Sequence, residues 1–404
     1  MKRIAVFCDG TWNSADQPHP TNVRRMALMV LPAARHPAGQ EEIEQVALYF
    51  HGVGVPEGGG WLERLNEKIS GGAMGFGLDK RIAMAYQNLA RHYEPGDEIY
   101  VFGFSRGAYT ARSLVGLIRN CGLPQKADDA AVARCFAHYR NRDKETDPDT
   151  EASLKLRLDI SPWITTSGQE AKWRADNGYP AGHPFRVSYL GVWDTVGALG
   201  IPSHWGLPAR MLNGKYRFHN TRLSRFVKSA RHAVALDEQR RSFMPTLWTN
   251  LPVLRKEEAA GDYRQEWFAG VHGAVGGGGD LVSLSAIALI WIAQGAMEQG
   301  LGIDMDQLRA FGKNCDLKGP LFNQSKGKSP LQKVLGVTGR WRKGPEAAAM
   351  VADPAIARWR VMPERYPGHW RGKPYRPGSL RQAGLQIDLV DLATISDYGE
   401  IDPA

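Results

Sequence analysis

Short apolar runs alternate with amphipathic stretches along most of this 404-residue chain. The apolar runs predict strands, and the stretches with apolar residues at helical spacing predict helices. Alternation of this kind is typical of a parallel sheet covered by helices, so the pattern predicts an α/β fold. The strands are expected near 3–7, 46–53, 98–104, 186–193 and 266–271, and the helices near 79–92, 107–120, 222–235 and 282–298.

Two regions interrupt this alternation. Residues 124–184 are polar, charged and proline-containing, with one amphipathic piece and no convincing core strand, which indicates a cap or lid insertion. Residues 301–404 are rich in Pro, Gly and Arg and indicate a C-terminal addition packed on the core. For a chain of this length we expect one catalytic core over 1–300 with these additions, rather than two independent domains.

A serine stands where a predicted strand meets a predicted helix, in the segment GFSRG at 103–107. This pattern is typical of a nucleophile elbow, in which a sharp strand-to-helix turn holds the serine in a strained conformation. Gly103 and Gly107 would give the turn the space it needs. A loop serine is the alternative for so short a motif. The strand before it and the helical spacing after it favour Ser105 as a nucleophile.

A nucleophilic serine needs a base and an orienting acid, which α/β hydrolases place later in the chain in the order Ser, Asp or Glu, His. Asp194 and His272 each follow an apolar run predicted to be a strand, and the carboxyl ends of such strands carry the ligand site. The alternatives are His232, Asp237 and Asp280. His232 falls inside a predicted helix, so His272 is favoured as the base and Asp194 as the acid.

The oxyanion of such a reaction needs hydrogen-bond donors, normally two backbone N–H groups. Arg106, the residue after the nucleophile, would supply one, and Gly10 or Thr11 in the loop after the first strand would supply the other. Asp9 would support that loop. A strand ending in Asp-Gly-Thr also resembles the first motif of haloacid-dehalogenase-type phosphatases, but Phe7 occupies the position of their aspartate nucleophile. The phosphatase interpretation is therefore disfavoured.

The formal net charge of +9 is unevenly distributed. From Arg340 onward, cations alternate with aromatic residues, including Arg340, Arg342 and Lys343. Such a face could bind nucleic acid or an anionic bilayer, and a solvated basic surface is the third alternative. A lipase-like site favours the membrane over nucleic acid.

The four cysteines, Cys8, Cys121, Cys135 and Cys315, show no spacing typical of metal ligands, which indicates reduced thiols. No cofactor or metal site is predicted. The N-terminal apolar run is too short for a signal peptide, and no apolar stretch reaches the length of about 18 residues that spans a membrane. We therefore expect a cytoplasmic location in the producing cell and any export by a machine that needs no such peptide.

Several segments together resemble a known family, and the elbow with its extension, GFSRGAYTAR, is the most specific of them. The chain resembles an α/β-hydrolase domain first catalogued as a domain of unknown function, whose characterised members are class 1 type VI secretion lipase effectors. The resemblance covers most of the chain. Its segments are 7–13, 21–23, 71–86, 103–112, 191–200, 267–279, 355–360 and 375–377.

The resemblance implies a lipase triad at Ser105, Asp194 and His272. It implies a phospholipid or other lipid ester as substrate, and delivery by type VI secretion into the periplasm of a neighbouring cell as an antibacterial effector. It also implies a bacterial membrane surface, a secretion spike protein and an immunity protein as partners. Ala274 departs from the family pattern, which has aspartate there, and this predicts weaker activity if that acid fixes the loop.

The mechanism expected from these residues is acyl transfer to water through a serine acyl-enzyme. An esterase acting on small soluble esters is one alternative. A phosphate-handling or nucleic-acid-binding protein, using Asp9 and the basic tail, is the other.

Overall fold

The computed structural model describes residues 1–11, 13–14, 16–35, 41–52, 73–141, 143–197, 221–256, 261–324, 341–360 and 375–382. The strands in these ranges are β1 (Arg3–Cys8), β2 (Ala33–Arg35), β3 (Glu42–Phe50), β4 (Glu98–Phe104), β5 (Ile164–Thr165), β6 (His183–Pro184), β7 (Val187–Trp193), β8 (Val227–Ala235) and β9 (Tyr263–Phe268). The main sheet has the strand order β2-β3-β1-β4-β7-β8-β9. Its strand pairs are parallel except for β2 with β3 at one edge.

Helices cover both faces of this sheet. They are α1 (Asn22–Met29), α2 (Ala73–His92), α3 (Arg106–Cys121), α4 (Asp129–Arg140), α5 (Glu151–Ile160), α6 (Gly168–Asp176), α7 (Leu251–Leu254), α8 (His272–Gly276), α9 (Ser283–Glu298), α10 (Met305–Gly312), α11 (Asp353–Arg360) and α12 (Gly378–Gln382).

Alternate residues of the central strands enter different cores. Ile4 and Val6 of β1 pack with α2 and α3, whereas Ala5 and Phe7 pack with α1, α9 and α10 on the opposite face. This alternation follows from the two-residue period of a strand, and burial on both faces explains why β1 reads as a continuous apolar run. The structure confirms the predicted α/β fold with a mainly parallel sheet flanked by helices.

The prediction of a helix over 222–235 is wrong, because this segment contains the strand β8. β8 lies between β7 and β9, and all of its residues except Lys228 are buried. A strand covered on both faces lacks the alternation that marks a half-exposed strand, and a short apolar run cannot be told from a buried helix by its periodicity.

The last predicted strand is displaced along the chain. It occupies Tyr263–Phe268 rather than 266–271, so His272 begins α8 instead of ending a strand. The strand predicted at 46–53 is Glu42–Phe50, and the helix predicted at 79–92 begins at Ala73.

The insertion over 124–184 contains three helices, α4 to α6, and the small parallel pair of β5 with β6. Val132 and Cys135 of α4 and Leu156 of α5 belong to the core that lies under α2 and α3. Arg119, near the end of α3, forms an ion pair with Asp149 of the insertion. These contacts fix the insertion on the α3 side of the sheet, and a role as a lid stays a prediction.

Candidate active site

Parallel pairing brings the predicted site residues to one edge of the sheet. Ser105 follows β4 and Asp194 follows β7, and the last residues of these two strands lie opposite one another in the register. The Asp194 N–H donates to the carbonyl of Ala233 in β8 at 2.7 Å. Gly10, in the loop after β1, also lies against Ser105, since a Cβ on it would be 3.3 Å from Ser105 Cβ.

Ser105 occupies a strained turn. Its backbone angles are φ 59° and ψ −121°, in a region that residues with side chains seldom adopt. The turn is tight, because a Cβ on Gly103 would lie 2.4 Å from the Gly107 carbonyl oxygen and one on Gly107 would lie 2.1 Å from that of Cys8. The backbone around Ser105 therefore has the geometry of a nucleophile elbow, with the serine at the start of α3.

Asp194 and His272 are hydrogen-bonded to one another. His272 Nδ1 lies 2.5 Å from Asp194 Oδ2, and the Ala235 N–H donates to Asp194 Oδ1 at 2.9 Å. Asp194 also has a positive φ of 37°. It is fully buried, so its carboxylate needs hydrogen bonds from every side.

A cation, Arg342, reaches the same carboxylate. Its Nη1 donates to Asp194 Oδ1 at 2.6 Å and its Nη2 donates to Oδ2 at 2.8 Å. The guanidinium also donates to the carbonyls of Ala235 and Phe243, and it is 1% exposed. Sequence analysis missed this role because Arg342 lies 148 residues after Asp194 in a segment assigned to the surface.

The charges in this cluster set its protonation. Burial raises the pKa of Asp194, but the charge of Arg342 and the hydrogen bond from His272 outweigh burial and hold that pKa well below its usual range. Burial lowers the pKa of His272, and the hydrogen bond that Nδ1–H donates to Asp194 opposes this only in part. Asp194 is therefore ionised, and His272 is neutral at neutral pH with its Nδ1–H directed to Asp194.

Two aromatic rings hold the imidazole in place. Phe104, the residue before Ser105, lies 4.6 Å from the His272 ring, and Phe243 contacts the ring edge-to-face at 4.7 Å, both measured between centroids. Within the described residues, Nε2 forms no hydrogen bond with Ser105 Oγ. Packing against these two rings and the hydrogen bond of Nδ1 to Asp194 thus fix the imidazole ring.

Glu238 is a further acid that the sequence did not single out. The His272 N–H donates to Glu238 Oε2 at 3.2 Å, and Arg240 binds the same carboxylate through Nε and Nη2. Burial raises the pKa of Glu238, but the hydrogen bond and charge of Arg240 lower it to about 2. Ala274 is buried, and Glu238, three residues after the end of β8, supplies a carboxylate to this loop.

Asp9 orders the loop after β1. Its carboxylate accepts hydrogen bonds from Gly10 N–H at 2.6 Å, Thr21 Oγ1 at 2.7 Å and Tyr49 OH at 2.6 Å. Burial raises the pKa of Asp9 to about 6, although these hydrogen bonds oppose the rise. The Gly10 N–H is thus engaged with Asp9, whereas the buried Thr11 hydroxyl has no hydrogen-bond partner in the described part of the chain.

Residues of the 21–23 segment join this loop to the histidine loop. Thr21 bonds to Asp9, and the fully buried Asn22 donates through Nδ2 to the carbonyls of Val275 and Ser285. The first helix therefore fixes the loop after β1 relative to α8 and α9, which explains why these short polar residues accompany the elbow.

His232, the alternative base, is engaged on both ring nitrogens. It accepts from the Thr195 N–H at Nε2, at 3.2 Å, and Nδ1 lies 3.0 Å from Gln265 Oε1. Burial lowers the pKa of His232 to about 3. It is a neutral, buried residue that supports the backbone next to Asp194. Asp237, the alternative acid, accepts hydrogen bonds from the Gly270 N–H and from Tyr375 OH.

The expectation of a basic, aromatic membrane face from Arg340 onward is wrong for Arg342 and Arg358. Arg342 binds Asp194, and Arg358 is buried and donates to the carbonyls of Leu317 and Gly319. Cations interleaved with aromatic residues can pack inward through their long apolar stems, and here the guanidinium groups find buried acceptors. Lys343 is exposed, and the segments 325–340 and 361–374 lie outside the described residues.

No set of three or more His, Cys, Asp or Glu side chains in the described ranges is arranged to hold a metal ion. None of the helices described in the structure has the length and apolar character needed to span a membrane.

Comparison with known families gives one extended match. The model described as the catalytic domain of Tle1-like phospholipase effectors of type VI secretion matches residues 2–295. This segment includes Ser105, Asp194 and His272, and it ends before Arg342.

Individual relatives also match parts of the chain. An uncharacterised protein of Saccharomyces cerevisiae is 32% identical over 181 residues, which are 45% of this chain and 23% of that protein. A crystal structure of an uncharacterised Pseudomonas aeruginosa protein covers 75% of this chain and 46% of its own, with 18% identity and a TM-score of 0.36. A Tle1 effector bound to the VgrG spike covers 70% of this chain and 52% of its own, with 16% identity and a TM-score of 0.36. This chain therefore spans about half or less of each of these relatives.

The tight elbow predicts the effect of a single methyl group. In Gly107→Ala the new Cβ would meet the backbone oxygens of Cys8 and Asp9 at 2.1 and 2.4 Å, so we expect a loss of about 1–3 kcal/mol in the free energy of unfolding, measured with urea. Gly168→Ala is the matched control, since a Cβ there meets no atom within 4 Å. Equal stability of the two variants would contradict the close packing of the elbow.

Proposed function

We propose that this chain, which belongs to the family of Tle1-like phospholipase effector catalytic domains of type VI secretion, is a serine hydrolase that cleaves lipid esters. The observation that carries the proposal is the buried Asp194–His272 pair beside a serine in an elbow, all at one sheet edge. The family match supports a phospholipid or related ester as the substrate class.

The residues suit an acyl-enzyme mechanism. Ser105 Oγ attacks the ester carbonyl carbon while its proton passes to His272 Nε2, and Asp194 stabilises the imidazolium through Nδ1–H. The tetrahedral intermediate then breaks the ester C–O bond, and the imidazolium protonates the leaving alcohol. Water next gives a proton to His272 and attacks the carbonyl carbon of the acyl-enzyme. The C–O bond to Ser105 then breaks, the imidazolium returns its proton to Ser105 Oγ, and the carboxylic acid is released. The Ser105–His272 hydrogen bond forms as substrate binds, since such bonds are often long in the free enzyme.

The oxyanion would be held by two donors. The Arg106 N–H lies in the first turn of α3, a sixteen-residue helix whose amino end favours negative charge. The second donor belongs to the loop after β1. Because Asp9 occupies the Gly10 N–H, we assign this role to Thr11 rather than to Gly10.

The family supports a proposal for the biological setting. A Tle1 effector has been seen bound to the VgrG spike, and we propose a spike protein as the delivery partner of this chain and a bacterial membrane as the surface it acts on. An immunity protein would protect the producing cell. The soluble-ester alternative uses the same triad and differs only in substrate.

Removal of the nucleophile tests the reaction. We expect Ser105→Ala to lower hydrolysis of phospholipid vesicles by about 10⁴-fold or more, measured by fatty-acid release, with unchanged circular dichroism. Ser188→Ala is a matched control, since this buried serine on β7 has a hydroxyl without a hydrogen-bond partner in the described residues. Wild-type turnover by Ser105→Ala would refute the proposal. If the wild type hydrolyses short soluble esters but not phospholipid vesicles, the soluble-ester alternative is favoured.

The two buried histidines should respond differently to the same substitution. His272→Gln removes the proposed base, so we expect a loss in kcat/KM similar to that of Ser105→Ala. His232→Gln leaves the triad in place and removes hydrogen bonds to Thr195 and Gln265, so we expect a loss of about 1–3 kcal/mol in stability and a much smaller loss in activity. The reverse ranking in kcat/KM would show that the base is misassigned.

The lowered pKa of His272 predicts the pH range of activity. Because burial depresses this pKa below its ordinary 6.5, the imidazole stays neutral and able to accept a proton as the pH falls through 6.5. We expect kcat/KM for a short soluble ester to keep its plateau at pH 6.5 and to fall only below it. An acid limb centred above pH 6.5 would contradict the assigned environment of the base.

A further inference from the structure

The carboxylate that orients the proposed base is bound by an arginine from outside the matched catalytic domain. The family match ends at residue 295, and Arg342 lies beyond it. We infer that Arg342 is a positioning residue for catalysis, which sets the orientation and the charge of Asp194 and through it the basicity of His272. This inference rests on the proposed function, because it assigns a role at the same site.

The geometry specifies a guanidinium. Arg342 binds both oxygens of Asp194 at 2.6 and 2.8 Å and also donates to two backbone carbonyls. A bidentate pair of this kind fixes the plane of the carboxylate, which a single point charge would not do. Since Asp194 Oδ2 also binds His272 Nδ1, fixing this plane fixes the direction of the imidazole.

The electrostatic role is equally specific. Asp194 is fully buried, and a buried carboxylate facing only a neutral imidazole would favour proton uptake by the pair. Arg342 balances the charge of the carboxylate. Asp194 can therefore remain ionised while His272 remains neutral. Among the described residues, Glu238 and Arg240 also act on the charge of His272, and they form an ion pair with one another. The guanidinium of Arg342 is therefore the cation in direct contact with the orienting carboxylate.

The described parts of the C-terminal addition are fastened to the ends of the last strands. Tyr375 OH donates to Asp237 Oδ2, and Ser379 Oγ donates to the carbonyl of Leu236, both just after β8. The Ala352 N–H donates to the carbonyl of Trp267 in β9. These contacts join the C-terminal addition to the strands that precede Glu238 and His272, so the addition forms part of the catalytic unit.

The test is the pH dependence of kcat/KM for a short soluble ester, measured on the full chain from pH 5 to pH 9. In Arg342→Gln the carboxylate loses its cation, so His272 gains protons more readily, and we expect the acid limb to move up by about one pH unit. We expect the plateau to fall by about 10-fold or more as the carboxylate loses its fixed plane. Arg358→Gln is the matched control, because it removes another buried arginine of the same addition that donates to carbonyls, and its acid limb should match that of the wild type.

Arg342→Lys separates charge from geometry. Lysine keeps the positive charge but cannot bind both carboxylate oxygens as the planar guanidinium does. We therefore expect the acid limb of kcat/KM to match that of the wild type and the plateau to be lower. An Arg342→Gln protein that is folded by circular dichroism and keeps the wild-type limb would overturn the inference. If Arg342→Gln does not fold, an Arg342→Lys plateau equal to that of the wild type would overturn it. Failure of the proposed function would appear separately, as an inactive wild type or an active Ser105→Ala.

Discussion

The buried carboxylate of Asp194 is the constraint around which the site is built. An ionised carboxylate without exposure to water is costly unless donors surround it, and here they come from His272, Arg342 and the Ala235 N–H. Each donor belongs to a different part of the chain, so satisfying this one group requires β7, β8, the histidine loop and the C-terminal addition to meet. The positive φ of Asp194 shows that the backbone is bent to place the carboxylate there.

The remainder of the site is built at the carboxyl ends of the parallel strands. The register sets the end of β4 beside that of β7, and the elbow glycines permit α3 to start immediately after Ser105. Asp9 orders the facing loop by accepting three hydrogen bonds, and Phe104 and Phe243 enclose the imidazole. Such enclosure excludes water from the ring, which lowers its pKa and leaves it neutral for proton transfer.

Local sequence predicted those parts of the structure that depend on local physics. The α/β fold, the elbow and the placement of Asp194 at a strand end follow from runs of apolar residues and from glycine at tight turns. The helix expected over 222–235 was wrong because burial on both faces removes alternation from β8. Arg342 and Glu238 could not be predicted, since their partners are distant in sequence and an arginine among aromatic residues has the same pattern whether it faces water or a buried carboxylate. The triad assignment stays a prediction.

We propose that Ser105 is an activated nucleophile. Mapping of the residue that a fluorophosphonate modifies tests this assignment directly. The protein would be labelled at pH 7.5, digested, and the modified residue identified by mass spectrometry of its peptides. We expect one adduct, on Ser105. We expect no labelling of Asp194→Asn or His272→Gln protein that remains folded. An adduct on another residue, or no adduct on a protein that still hydrolyses esters, would contradict it.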